Sequence, residues 1–319
     1  MNTWPSLPLE EWWETRDTLH RWTQVVGKIR LAQAPMVNHW WQVTMYVTPR
    51  GLTTSSMPAD DRTLEIEFDF CVHRLWITVE GGEQREIALE PKTVAAFYAE
   101  VMDALASLDL DVRIWPVPVE IEHAIPFEQD TEHASYDPLA AQRFWRQLVQ
   151  ADRVLKAFRA RFGGKVSPVH FFWGAMDLAV TRFSGRPAPR HPGGAPNCGD
   201  WVMVEGYSHE LASCGFWPGG GVEGAFYAYA YPEPDGFGAA PVTPAEAYYS
   251  TDYQQFLLPY EAVRAAADPD ATVLGFLQAT YEAAADLGGW DRAALEYSPV
   301  EGARPGHPAD EPGRSRTRA

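Results

Sequence analysis

The sequence predicts an α+β fold of two structurally similar halves, each a helix packed on a mostly antiparallel sheet, with further helices closing the C-terminal end. Three observations lead there. From Thr63 to Val72, Leu64, Ile66, Phe68, Phe70 and Val72 alternate with Glu65, Glu67, Asp69 and Cys71, the period of a strand buried on one face. From Pro138 onward, Phe144, Leu148, Leu155, Phe158 and Phe162 share one stripe at the helical period. An order of features also recurs. Gly27-Lys28, Pro35, His39-Trp40, Val47-Thr48, Arg50-Gly51 and the pair Asp69/His73 are echoed by Gly164-Lys165, Pro168, His170 with Trp173, Val180-Thr181, Arg182 with Gly185, and Glu205/His209. Trp40/Trp173 and Val47/Val180 share an offset of 133 residues, and the carboxylate and histidine pairs one of 136, so an internal duplication is expected.

The elements follow in order. Trp4-Pro5-Ser6-Leu7-Pro8 reads as an extended arm, because each proline fixes φ and disfavours helix before it. A helix over 9–26 should end at Gly27, and β-branched and aromatic residues from His39 to Thr48 predict a strand turning at Pro49-Arg50-Gly51. Strands over 63–72, 74–79 and 86–89 follow, the last two joined at Gly81-Gly82, then a helix from Pro91 to about Ser107 and a strand near 112–115. Asp137-Pro138 supplies an acidic cap and a proline at the first helical position, and Gly163-Gly164 ends that helix. Strands are expected near 169–181, 201–208 and 225–231. Thr243-Pro244-Ala245-Glu246 fits a capping box and Asp268-Pro269 another helix start. Residues 1–115 then form the first repeat, 116–137 a connection, 138–297 the second repeat with its C-terminal helices, and 298–319 a disordered Pro/Gly/Arg-rich tail.

Twenty-six Lys and Arg stand against 43 Asp and Glu, a net charge of −17, which excludes most nucleic-acid binding. The charge is uneven: residues 1–137 carry −13, 138–190 carry +8 and 191–297 carry −13. No apolar run is long enough to span a membrane. Three cysteines without a C-x-x-C pair, and an acidic N-terminus without a leader, point to a reduced, cytoplasmic protein.

The residues with chemistry to offer are His39, Asp69, His73, His170, Glu205 and His209. On a flat strand Asp69 and His73 lie about 13 Å apart, so any joint site must be composite, drawing on both repeats. There Asp69 and Glu205 would polarise or ligate while His73 and His209 transfer protons; a divalent metal fits the same groups. Arg182 and Arg186, beside Ser184 and Gly185, have the makings of a bidentate clamp for a small anionic ligand. His39, His170, Trp40 and Trp173 are placed as its further contacts. Thirteen tryptophans offer core packing or an aromatic pocket.

The strings Trp4-Pro5-x-Leu7-Pro8, Gly27-Lys28, Asn38-His39-Trp40-Trp41, Ser167 to Gly174, Thr181 to Arg186, Ser208-His209-Glu210 and Gly215 to Gly219 resemble an uncharacterised bacterial domain-of-unknown-function family across nearly the whole chain. The resemblance implies a bacterial, cytosolic origin and one family unit spanning both halves, with no activity attached. Three functions stay open: a small-molecule enzyme with the composite His/carboxylate site, a non-catalytic binder with an aromatic pocket, and an acidic interaction protein.

Overall fold

The computed structural model describes residues 4–297, so the expected disordered tail at 298–319 lies outside the described residues. Its first half begins with helix α1 (Leu9–Gln33). The helix runs straight through Gly27, because that glycine leaves room for a tryptophan and does not act as a terminator. A Cβ at Gly27 would lie 2.3 Å from the Trp173 indole. The strand expected over 39–48 is mostly absent. Asn38–Trp40 form a 3-10 turn in which His39 and Trp40 both take left-handed backbone, at φ 57° and 62°, and only β1 (Tyr46–Val47) is extended.

An antiparallel sheet follows: β2 (Gly51–Thr53), β3 (Met57–Ala59), β4 (Arg62–Asp69), β5 (Arg74–Val79) and β6 (Gln84–Ala88), in the order β1-β2-β4-β5-β6 with β3 also paired to β4. The alternation predicted along β4 is present, with Leu64, Ile66 and Phe68 buried. The strand stops at Asp69 because its carboxylate accepts the backbone N–H of Cys71 (2.8 Å) and Val72 (3.1 Å), which folds the chain into a turn. Helix α2 (Val94–Ala106) starts at the Thr93 cap, not at Pro91, and residues 112–115 form no strand.

The second half opens with α3 (Pro138–Arg159), capped by Asp137 as expected. Its sheet is an antiparallel array of β7 (His170–Phe172), β8 (Asp177–Pro187), β9 (His209–Trp217), β10 (Ala225–Tyr231), β11 (Tyr248–Ser250) and β12 (Gln255–Pro259), ordered β11-β12-β10-β9-β8-β7. Where a strand was predicted over 201–208 the chain forms helix α4 (Asp200–Gly206), and the Thr243 capping box starts no helix. Helices α5 (Tyr260–Ala265), α6 (Pro269–Leu287), capped by Asp268, and α7 (Arg292–Leu295) complete the order.

Both halves are therefore helices on antiparallel sheets. The sheets meet edge to edge where Met45, beside β1, exchanges two backbone bonds with Phe171 of β7 (2.9 and 2.7 Å). One hydrophobic cluster runs from Trp4 to Ala285 across them. The residues that the repeat equated do not occupy equivalent places. Trp40 is in a 3-10 turn and Trp173 follows β7; Val47 ends a two-residue edge strand and Val180 sits inside β8; Asp69 ends a strand and Glu205 lies in α4. The likeness of the halves is one of architecture, not of residue-by-residue correspondence.

Candidate functional site

The site follows from the parity of the second sheet. Side chains alternate faces along a strand, so Asp177, Ala179, Thr181 and Phe183 of β8 share one face with Leu211 and Ser213 of β9 and Tyr227 and Tyr229 of β10. That face is the floor of a cavity of about 710 Å³. Its walls come from Lys28 of α1, the turn from His39 to Trp41, segment 115–120, the turn after β7, and α4. Six tryptophans, four tyrosines and two phenylalanines line it, which makes it aromatic on nearly every side. Trp115, Trp201 and Tyr253 are exposed, as residues at a mouth would be.

The polar groups on this wall are few and ordered. Tyr227 donates its hydroxyl to Asp177 in a short hydrogen bond. The Tyr207 and Tyr229 hydroxyls pair at 2.9 Å, as do those of Thr181 and Ser213. Gly215 has to be a glycine for the Tyr227 ring to lie there, since a Cβ would come within 2.6 Å of the phenol oxygen. Glu120 is held from two sides. Gln24 of α1 exchanges two hydrogen bonds with the Val119 backbone (2.8 and 2.9 Å), the Glu120 N–H donates to Pro196 O (2.7 Å), and Asn197 donates to Ile121 O (2.7 Å). Between these clamps Glu120 is forced to φ 58°, a costly conformation for a non-glycine residue.

Burial dominates the electrostatics. Glu120 is exposed along the open side of the cavity, and the protein packed around it pushes its carboxyl up to about 7, first by desolvation and then by Asp177. Asp177 is pushed up to about 6 by burial, against the Tyr227 hydrogen bond that favours its charged form. Lys28, 4% exposed, is pulled down to about 8 by burial, and its ammonium lies 4.7 Å over the Trp115 ring and 5.9 Å from Trp173.

The composite site expected from the repeats does not assemble. Asp69 pairs with Arg50 in a polar surface groove with Glu65 and Glu67, and His73 meets the Tyr136 hydroxyl at 2.9 Å; neither touches the cavity. Glu205, His209 and His39 do come together. Glu205 accepts the His39 N–H (3.0 Å), the two imidazoles lie 5.6 Å apart, and Lys165 Nζ sits 2.6 Å from His39 Nε2 while His39 Nδ1 meets Gly206 O at 3.0 Å. Neutral His39 with its proton on Nδ1 satisfies both contacts, donating to Gly206 and accepting from Lys165. Of this group only His39 lines the cavity. Among the described residues no group of three or more His, Cys, Asp or Glu is placed to hold a metal ion.

The two arginines of the expected anion clamp lie apart from the cavity. Arg182 falls on the opposite parity of β8 and points under the sheet, where its guanidinium lies 3.5 Å over Phe158 and 4.3 Å over Tyr281 and donates to Phe158 O (2.6 Å) near the C-terminal end of α3. Burial pulls its pKa down to about 10. Arg186 pairs with Glu210 and donates to Gly288 O (2.6 Å), capping α6. His170 is wholly buried among Phe172 and Trp41 with neither ring nitrogen bonded, held down to about 3 by desolvation. Trp40 and Trp173 do line the cavity. Glu120, Lys28 and Tyr227 were not anticipated; the odd-numbered alternation beginning at Asp177 was the one signal able to point to this face.

Residues 4–297 match the model of a family of unknown function, DUF5996. No curated protein and no solved structure matches the chain.

Proposed function

The chain belongs to that family of unknown function, and from the geometry of its own cavity we propose that it binds a ring-bearing, largely apolar small molecule. The observation that carries this reading is an aromatic cavity of about 710 Å³, within the range that encloses small organic ligands, with a few polar groups on its floor. A packed core would fill such a space, since protein interiors leave few voids larger than a water. The small anion expected from sequence loses its support with Arg182 and Arg186 committed to helix ends. The three cysteines are free, which supports a cytoplasmic location. No helix among the described residues is long and apolar enough to cross a membrane.

The cysteines also provide the test. Cys198 is half-buried on the cavity wall, Cys71 is exposed and Cys214 is buried. A small maleimide should label Cys71 and Cys198, and a naphthalene-bearing compound in the cavity should protect Cys198 while leaving Cys71 reactive. Unchanged Cys198 labelling together with unchanged thermal stability would reject the reading. A second reading, an enzyme moving protons in the same cavity, is favoured by one observation, that Glu120 and Asp177 both titrate within reach of neutral pH. It requires turnover that is lost in Glu120→Gln.

A further inference from the structure

The cavity holds charges of both signs, and they differ in how they are compensated. Lys28 has its own counterpart in the indole faces of Trp115 and Trp173. Glu120 has none: among the described residues its carboxylate takes part in no hydrogen bond and no ion pair, although its backbone is fastened on both sides. Asp177 opens the adjacent floor with one phenol donor and no cation. Glu120 is accessible along the cavity and Asp177 is buried beside it without a cation, so two carboxylates that share one aromatic wall are left for a cation from outside the chain to neutralise.

We propose that the ligand carries a protonated amine, seated against Glu120 and Asp177 with its apolar body between the tryptophan and tyrosine rings. This rests on the cavity being a ligand site, and it adds the charge. Aromatic faces and carboxylates act together here, because the negative face of Tyr229 attracts the same cation that the carboxylates neutralise. The chain's net charge of −17 draws cations toward the mouth and repels acids.

The test uses three compounds of one shape: naphthylethylamine, naphthylethanol and naphthylacetate, each titrated at pH 7.5 by calorimetry and by protection of Cys198. The amine should bind about tenfold more tightly than the alcohol, as one charge-assisted hydrogen bond warrants, and the acetate most weakly. In Glu120→Gln the amine-to-alcohol ratio should fall toward one; Asp177→Asn serves as the second variant. Equal binding of all three compounds overturns the inference and leaves the cavity reading standing. An amine preference that survives in the double variant overturns it as well. Protection by none of the three overturns both.

Discussion

Replacing Asp177 with asparagine should make this protein more stable, and more so as pH rises. Asp177 is 8% exposed, and burial lifts its carboxyl from 3.8 to about 6 in the fold. The fold therefore holds this proton more tightly than the unfolded chain does. The stability from that group is complete below pH 3.8 and is lost as pH climbs through 6. At pH 8 the ionised aspartate costs the fold about 3 kcal/mol, at about 1.4 kcal/mol per tenfold change in acidity. Asparagine has nearly the same shape, still accepts from the Tyr227 hydroxyl and carries no charge to desolvate. It also removes the repulsion that helps raise Glu120. The variant should melt about 5 °C above the parent at pH 8 and within about 1 °C of it at pH 4. Differential scanning calorimetry of both proteins across that range isolates the aspartate together with its repulsion of Glu120, because the other titrating groups are common to the pair. A melting difference that is flat with pH, or that favours the parent at pH 8, would refute the argument that Asp177 is an uncompensated buried charge.

Three other substitutions separate structural roles from binding roles. Arg182→Ala should cost about 3 kcal/mol in urea unfolding, since it empties the aromatic cage under β8, yet leave ligand affinity per folded molecule unchanged; a clean loss of binding would return the residue to the site. Gly27→Ala sets a helix-propensity gain of about 1 kcal/mol against a Cβ driven into the Trp173 ring, and with overpacking costing about 1–3 kcal/mol the variant should be less stable, with an altered near-ultraviolet tryptophan signal. His170 is kept neutral and held down to about 3, so its contribution is complete above pH 6.5 and is lost as pH falls toward 3. His170→Phe should accordingly move the acid unfolding midpoint, followed by circular dichroism, to lower pH; a midpoint that stays put would mean the histidine protonates without consequence.

What could be read from the chain was what is locally determined. The caps at Asp137-Pro138 and Asp268-Pro269 act within one helical turn, and the alternation along β4 is imposed by its own sheet, so both appear where the residues predict them. Features set by distant partners leave no local signature. Gly27 looks like a helix stop until Trp173, far along the chain, is seen to need the space. Trp201 to Val204 has the composition of a strand, yet α4 forms there, with Trp201 packed on Trp40, whose indole N–H donates to Val202 O. Arg182 and Thr181 are neighbours in sequence and lie on opposite faces of the sheet, so choosing the arginine from its surroundings in sequence selected the wrong side. Glu120 sat in what read as a plain connection, since its importance comes from Gln24, Pro196 and Asn197 converging on its flanks.

The contact between Gly27 and Trp173 also limits how such a protein can be divided. The cavity's floor belongs to residues after Asp177, whereas Lys28, the turn at His39 and segment 115–120 belong to the chain before Asp137. Trp173 fastens the two contributions, fitting against α1 while its indole N–H donates to Val43 O at 2.8 Å. Neither half owns a cavity that it could carry into another protein. An insertion, fission or shuffling event between them would leave two sheets and no chamber, so the cavity exists only in the two halves together.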